Sequence, residues 1–167
     1  MAIPYRGKTE TATYFITANT FEKQQLLQSD RMATLLITVL HHYREQKKYL
    51  LHEYVVMPDH FHLLITPRLG TTLERALQLI KGGFSYRAKK QFGFTGEIWQ
   101  TSYVDRRVRD YREYQQFRRY IYRNPVKRLL VSADECFPYS SAAHLAPVDA
   151  IPQRLKPLEL EMSESQA

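Results

Sequence analysis

Residues 54–67 read YVVMPDHFHLLITP. The first four are aromatic, β-branched or apolar, Pro58-Asp59 carries turn chemistry, and a strand pattern resumes at His60. Side chains alternate faces along a strand, so His60 and His62 share one face while Phe61, Leu63 and Ile65 share the other. The stretch therefore predicts two strands meeting at a tight turn, with two imidazoles on one side of the second. That is half of a metal site. A His-x-His pair in a strand also occurs as a surface pair or a hydrogen-bonded core pair. Apolar residues on both sides weigh against that here, because imidazoles buried without partners are costly.

Working outward, Thr11–Thr20 (TATYFITANT) is a strand candidate. Ser29 or Asp30 caps a helix over 31–46, with Leu35, Leu36, Val39, Leu40 and Tyr43 on its apolar stripe. Residues 49–57 form the strand that enters the turn. Beyond the His-bearing strand, Gly70-Thr71-Thr72 is a cap signal for a helix over 73–91. Gly82-Gly83 sits in its middle, where each glycine costs about 1 kcal/mol relative to Ala. Either the helix breaks there or something approaches its backbone closely. A strand candidate follows over 102–108. Asp110 then caps a last long helix over 111–124, with Tyr114, Phe117 and Ile121 on its buried stripe. Pro125 is expected to end or kink it, with a further helical turn or two over 126–131. This β-α-β-β-α-β-α order predicts an α+β fold, an antiparallel sheet of ferredoxin-like or RRM-like type with helices packed on it. Residues 1–135 read as one domain. Residues 136–167, proline-punctuated and increasingly acidic toward LELEMSES, read as a loosely packed tail.

The 167 residues carry a net charge of +7 and a pI near 9.5, which favours a polyanionic partner. The 12 tyrosines suit stacking on unpaired bases as well as ordinary packing. No apolar window is long enough for a membrane span, and residues 1–10 lack the apolar run of a signal peptide. With a single cysteine, Cys136, and no export signal, the expected compartment is the cytoplasm.

The second half of the site comes from YIYRNP, residues 120–125. Helix positions four apart lie on one face, so the Tyr120 phenol and the Asn124 amide oxygen point the same way. Tyr122, two positions on from Tyr120, faces roughly 200° away. A neutral His pair plus an amide oxygen leaves coordination positions open and suits Mg²⁺ or Mn²⁺; imidazole also suits Zn²⁺. An open-sided cation can polarise a phosphodiester while a phenolate attacks phosphorus. Arg118, Arg119 and Arg123 flank Tyr120 with the charge that favours a phenolate. Ring packing is the commoner fate of a helix tyrosine, and Asn124 also fits a C-cap before Pro125.

MPDHFHLLI, followed by KGGFSYRAKK, GEIWQTSYVDRRVRD and YIYRNPVK, resembles the REP-associated tyrosine transposases. These are a branch of the single-tyrosine HUH (His-hydrophobe-His) transposases of bacterial insertion sequences, and the resemblance spans roughly residues 14–130. It implies an HUH-type α+β fold, metal ligands His60, His62 and Asn124, a nucleophile Tyr120, and Mg²⁺ or Mn²⁺. It implies a transesterase that cuts and rejoins single-stranded or hairpin DNA through a 5′-phosphotyrosine, as monomer or homodimer. Of the N-terminal motif by which some relatives read the hairpin foot, only Gly7 and Lys8 have counterparts. Arg75, Lys81, Arg87, Lys89, Lys90, Arg119 and Arg123 are candidate contacts to DNA phosphates, although a solvated helix face carries the same charges. Two alternatives remain at this stage. One is a domesticated, non-cleaving hairpin-binding regulator; the other is a phosphodiesterase that uses activated water.

Overall fold

The computed structural model describes residues 12–133 and 135–157. Gly7, Lys8 and the acidic end of the chain lie outside them. In chain order the elements are β1 (Thr13–Asn19), α1 (Asp30–Glu45), β2 (Tyr49–Met57), β3 (His60–Pro67), α2 (Leu73–Phe92), β4 (Val104–Val108) and α3 (Tyr111–Lys127). The sheet is antiparallel with order β2-β3-β1-β4. This is the ferredoxin-like arrangement expected from the sequence, with α3 added after the last strand.

Strand alternation divides the sheet into two apolar faces. On one, Ile16, Ala18, Phe61, Leu63 and Ile65 pack against Leu36, Val39 and Leu40 of α1 and Ala76, Leu77, Ile80 and Phe84 of α2. On the other, Phe15, Val55, Met57, Leu64 and Val108 pack against Tyr114 and Ile121 of α3. Both faces are covered, so every residue of β3 is buried, His60 and His62 included. β2 shifts register between Leu51 and Glu53. This bulge turns both His52 and Glu53 toward α3: the His52 ring meets Tyr114, and Glu53 accepts from Tyr122 and Arg118.

The helix starts follow cap chemistry. Ser29, Thr72 and Asp110 accept from the backbone N–H groups of Met32, Arg75 and Glu113. α2 runs unbroken through Gly82 and Gly83 because α1 needs the space: a β-carbon at Gly83 would lie 2.9 Å from the Tyr43 ring, whereas one at Gly82 meets nothing within 4 Å.

Two expectations fail. Pro125 does not end α3, which continues to Lys127. Proline removes only the N–H that would bond the Ile121 carbonyl, and so near the C-terminus the last turn closes without it. Leu129 and Leu130 donate to Val126 and Pro125, and Leu129 takes φ 60. This is a Schellman ending with leucine where glycine is usual, so no separate helix forms over 126–131.

The loose tail after residue 135 is also corrected for its described part. β2 is a sheet edge whose outward N–H groups need acceptors. Val56 donates to the Tyr139 carbonyl at 2.8 Å, Tyr54 to Ser141 Oγ at 3.0 Å and Leu51 to Asp149 Oδ2 at 2.8 Å. Arg44 holds Asp149 through two hydrogen bonds of 2.9 and 3.0 Å. Ser140, Ser141 and Leu155 are buried.

The two glycines of α2 should therefore respond differently to alanine. Gly82→Ala gains helix propensity at no steric cost and should stabilise by about 1 kcal/mol, or roughly 2–4 °C in Tm. Gly83→Ala has to displace Tyr43 and should forfeit most of that gain. Equal stabilisation of both variants in thermal melts would contradict the close approach.

Candidate active site

His60 follows the turn directly and is anchored by its neighbour: Asp59 Oδ1 lies 2.6 Å from His60 Nδ1. His62 stands opposite Thr17 of β1, whose Oγ1 lies 2.9 Å from His62 Nδ1. The two imidazole centroids are 4.8 Å apart. α3 crosses this face on a floor of aromatic rings, with Phe15 stacked on Phe117 at 4.5 Å and on His62 at 5.2 Å. From α3 descend the two residues one turn apart. Asn124 is buried, its Nδ2 3.2 Å from His62 Nε2. The Tyr120 ring meets His62 edge-on at 5.2 Å and Phe15 at 5.8 Å, and the residue is 45 % exposed. His60, His62, Asn124 and Tyr120 thus come together as the sequence spacing predicts.

Both imidazoles are held neutral. Burial pushes His62 down to about 3, helped by the adjacent His60 and by Arg128. Burial also lowers His60, and this outweighs the opposing pull of Asp59. A neutral His60 donates Nδ1–H to Asp59, which leaves the Nε2 lone pair free. At His62 the amide donates to Nε2, so Nδ1–H faces Thr17. Asn124 Oδ1 is left buried with no hydrogen-bond partner. With the amide turned over, that oxygen would stand beside two neutral imidazole nitrogens, the donor set a divalent cation would satisfy. Among the described residues no group of three or more His, Cys, Asp and Glu could hold a metal ion. A cation here would depend on the amide oxygen as its third protein ligand.

The basic residues fall into two groups. Arg119 and Arg123 are exposed on α3 next to Tyr120. Arg118, expected beside them, turns instead to Glu53, with Nε 3.0 Å from Oε1 and its guanidinium over the Tyr122 ring. Arg75, Lys81, Arg87, Lys89 and Lys90 all lie on α2, across the sheet from the His pair. Lys81 is committed locally, its Nζ 2.8 Å from the Gln100 carbonyl, while Trp99 Nε1 donates back to the Lys81 carbonyl.

Three residues near the site escape the sequence reading. Asp59 looks like turn chemistry, and Thr17 like an ordinary strand threonine; only the register reveals them as imidazole anchors. Tyr122 points away from Tyr120 as expected, and its hydroxyl donates to both Glu53 oxygens at 2.8 and 2.9 Å. Ser141 Oγ donates to the same carboxylate. Glu53 gives no sequence signal beyond a charge in an apolar strand.

A family model described as "Transposase IS200 like" matches residues 8–124. The fold is similar to a REP-associated tyrosine transposase solved bound to a REP hairpin, with TM-score 0.64 and 25 % identity over 89 % of this chain and 90 % of that one. It is also similar to a candidate transposase from Deinococcus radiodurans R1, with TM-score 0.50 and 25 % identity over 62 % of this chain and 84 % of that one. No curated protein matches.

The burial of His62 has a measurable consequence. Its value of about 3 in the fold lies below the ordinary 6.5. On acidification the unfolded chain therefore takes up the proton first. Stability from the neutral ring is complete above about pH 6.5 and drains away toward the folded-state value, by up to about 1.4 kcal/mol per pH unit. In chelator-treated protein, the His62 ring signals should stay those of a neutral imidazole down to about pH 4. The unfolding free energy of His62→Gln should fall more shallowly with acid than that of the parent. A His62 titration near 6.5 would contradict the burial.

Proposed function

The chain belongs to the IS200-like transposase family, and from that premise we propose that it cuts and rejoins single-stranded, hairpin-bearing DNA through a covalent bond to Tyr120. The observation that carries the reading is the convergence of His60, His62 and the Asn124 amide, whose buried oxygen has no hydrogen-bond partner, beside the Tyr120 ring. Hairpin DNA as the partner is supported by the similar fold of a protein solved with one.

His60 and His62 would hold Mg²⁺ or Mn²⁺ through their Nε2 atoms, with Asn124 Oδ1 as the third protein ligand. When bound, the ion would supply a Lewis acid at a phosphodiester oxygen. Asp59 and Thr17 fix the imidazole tautomers and orientations, and turning over the Asn124 amide, whose Nδ2 faces His62 Nε2, would free that lone pair and bring Oδ1 to the ion. The Tyr120 oxygen forms a bond to phosphorus as the bond from phosphorus to O3′ breaks. The phenolic proton leaves to solvent, and the departing O3′ takes one up. A 5′-phosphotyrosine and a free 3′ hydroxyl result. The reverse attack by a 3′ hydroxyl rejoins the strand and needs no ATP, because the phosphotyrosine retains the bond energy. Arg119 and Arg123, exposed beside Tyr120, would neutralise flanking phosphates.

Two tests follow. With hairpin-tailed single-stranded DNA and Mn²⁺, denaturing gels should show a covalent adduct that Tyr120→Phe abolishes without loss of binding. His60→Ala should lose metal and adduct together. Tyr122→Phe should still cut, at a stability cost of about 1–3 kcal/mol for the donor taken from buried Glu53. Cleavage by Tyr120→Phe would make water or another residue the nucleophile, and binding without an adduct in any divalent ion would leave a hairpin binder. Separately, replacing Arg119 and Arg123 with Ala should flatten the slope of log affinity against log salt by up to about two units. The same change at Lys89 and Lys90 should flatten it less; the opposite ranking would put the DNA path on α2.

A further inference from the structure

Beside His60, away from Tyr120, two irregular turns face each other. Glu22 and Lys23, neither of them glycine, take φ 51 and 52. Left-handed backbone costs a side-chain-bearing residue on the order of 1 kcal/mol, so surrounding bonds must hold it. Those bonds run to the turn that carries the site. Thr20 N–H donates to the Asp59 carbonyl at 2.9 Å, the Thr20 hydroxyl lies 2.7 Å from the Gln24 carbonyl and 3.0 Å from that of Asp59, and Leu27 N–H donates to the Pro58 carbonyl at 2.9 Å. On the far side the left-handed Leu129 ends α3 and swings Leu130 back over the turn.

Between the two turns lies a cavity of about 130 Å³, lined by Gln25, Met57, Pro58, His60, Arg128 and Leu130 among others. It has room for one flat ring. Pro58 and the 40 % exposed Leu130 give it apolar surface, and Gln25, Asp59, His60 and Arg128 bring polar groups to the same space. Gln25 is exposed, and its amide makes no hydrogen bond among the described residues. An amide presents a donor and an acceptor side by side, the pattern that pairs with a base edge. Arg128 is exposed, has no carboxylate partner among the described residues, and lies near enough to the imidazoles to bear on both. Lys23 adds a second positive charge near His60.

We infer that this cavity receives one unpaired base next to the phosphodiester at the His60–His62 site, with Gln25 reading the base edge and Arg128 holding the adjoining phosphate. The protein would then select one nucleotide at its cutting point by direct contact, independently of any hairpin it grips elsewhere. The position of the base relative to the cut rests on the transesterase reading above; the capture of a base does not.

The test uses the full chain carrying Tyr120→Phe, so that binding is measured without cleavage. The probe is a hairpin with a single-stranded tail in which each tail nucleotide is replaced in turn by an abasic one. At one tail position, loss of the base should weaken binding about tenfold, the scale of one stacked and hydrogen-bonded base. Adding Gln25→Ala and Leu130→Ala, both at exposed positions, should weaken binding of the intact tail by a similar factor and make the abasic change at that position neutral. An abasic profile that is flat, or identical with and without the two substitutions, overturns the pocket. Adduct formation is assayed in parallel with Tyr120 restored and Mn²⁺ present. A missing adduct beside an intact abasic footprint would overturn the cleavage reading and keep the pocket; an adduct beside a flat footprint would do the reverse.

Discussion

β3 is buried on both sides, and the alternation of its side chains governs everything above it. Phe61, Leu63 and Ile65 are committed to the core under α1 and α2, which forces His60, His62 and Leu64 onto the face that α3 covers. A slip of one residue would drive two imidazoles into the larger apolar core and expose three large apolar side chains to a polar site. The hydrophobic pattern that fixes the register therefore also fixes where the imidazoles stand. Their neutrality follows from the same burial, since desolvation is the largest cause of the lowered pKa of each.

The second requirement is the rotation of α3. Ile121 and Tyr114 seat it in the smaller core, and Arg118 and Tyr122 lock it to Glu53 on the bulge of β2. A carboxylate that is only 5 % exposed is costly to bury, and it is tolerated here because Arg118, Tyr122 and Ser141 all donate to it. With those contacts made, the opposite flank of the helix presents Tyr120 and Asn124 to His62. Ser141 belongs to the segment that covers the edge of β2, so the described residues after 135 support the site without contributing to it.

Features governed by short spacing were legible in the sequence. The His pair, the four-residue step from Tyr120 to Asn124, the opposed direction of Tyr122 and the three helix caps all depend on local periodicity, and all stand where that periodicity puts them. Features governed by register or by distant partners were not. Asp59 and Thr17 anchor the imidazoles only because of where β1 and the turn bring them. The Ser140–Leu155 segment looked loose because its order comes from hydrogen bonds to an edge strand and from Asp149 gripping Arg44, and neither leaves an apolar pattern. Pro125 misled because a proline near a helix end removes a bond whose loss the Schellman turn accommodates. The basic stretch of α2 suggested a DNA surface from charge alone, whereas the fold sets it across the sheet from the imidazoles.

The account stands on one cation being shared by β3 and α3. Diffraction from crystals of the full chain grown with Mn²⁺, recorded for anomalous scattering, tests this directly. One strong peak should lie within coordination distance of Nε2 of His60 and of His62 and of Asn124 Oδ1, with the Asn124 amide turned so that its oxygen faces the ion. A peak held elsewhere, or an occupied site from which Asn124 stays turned away, would contradict the account.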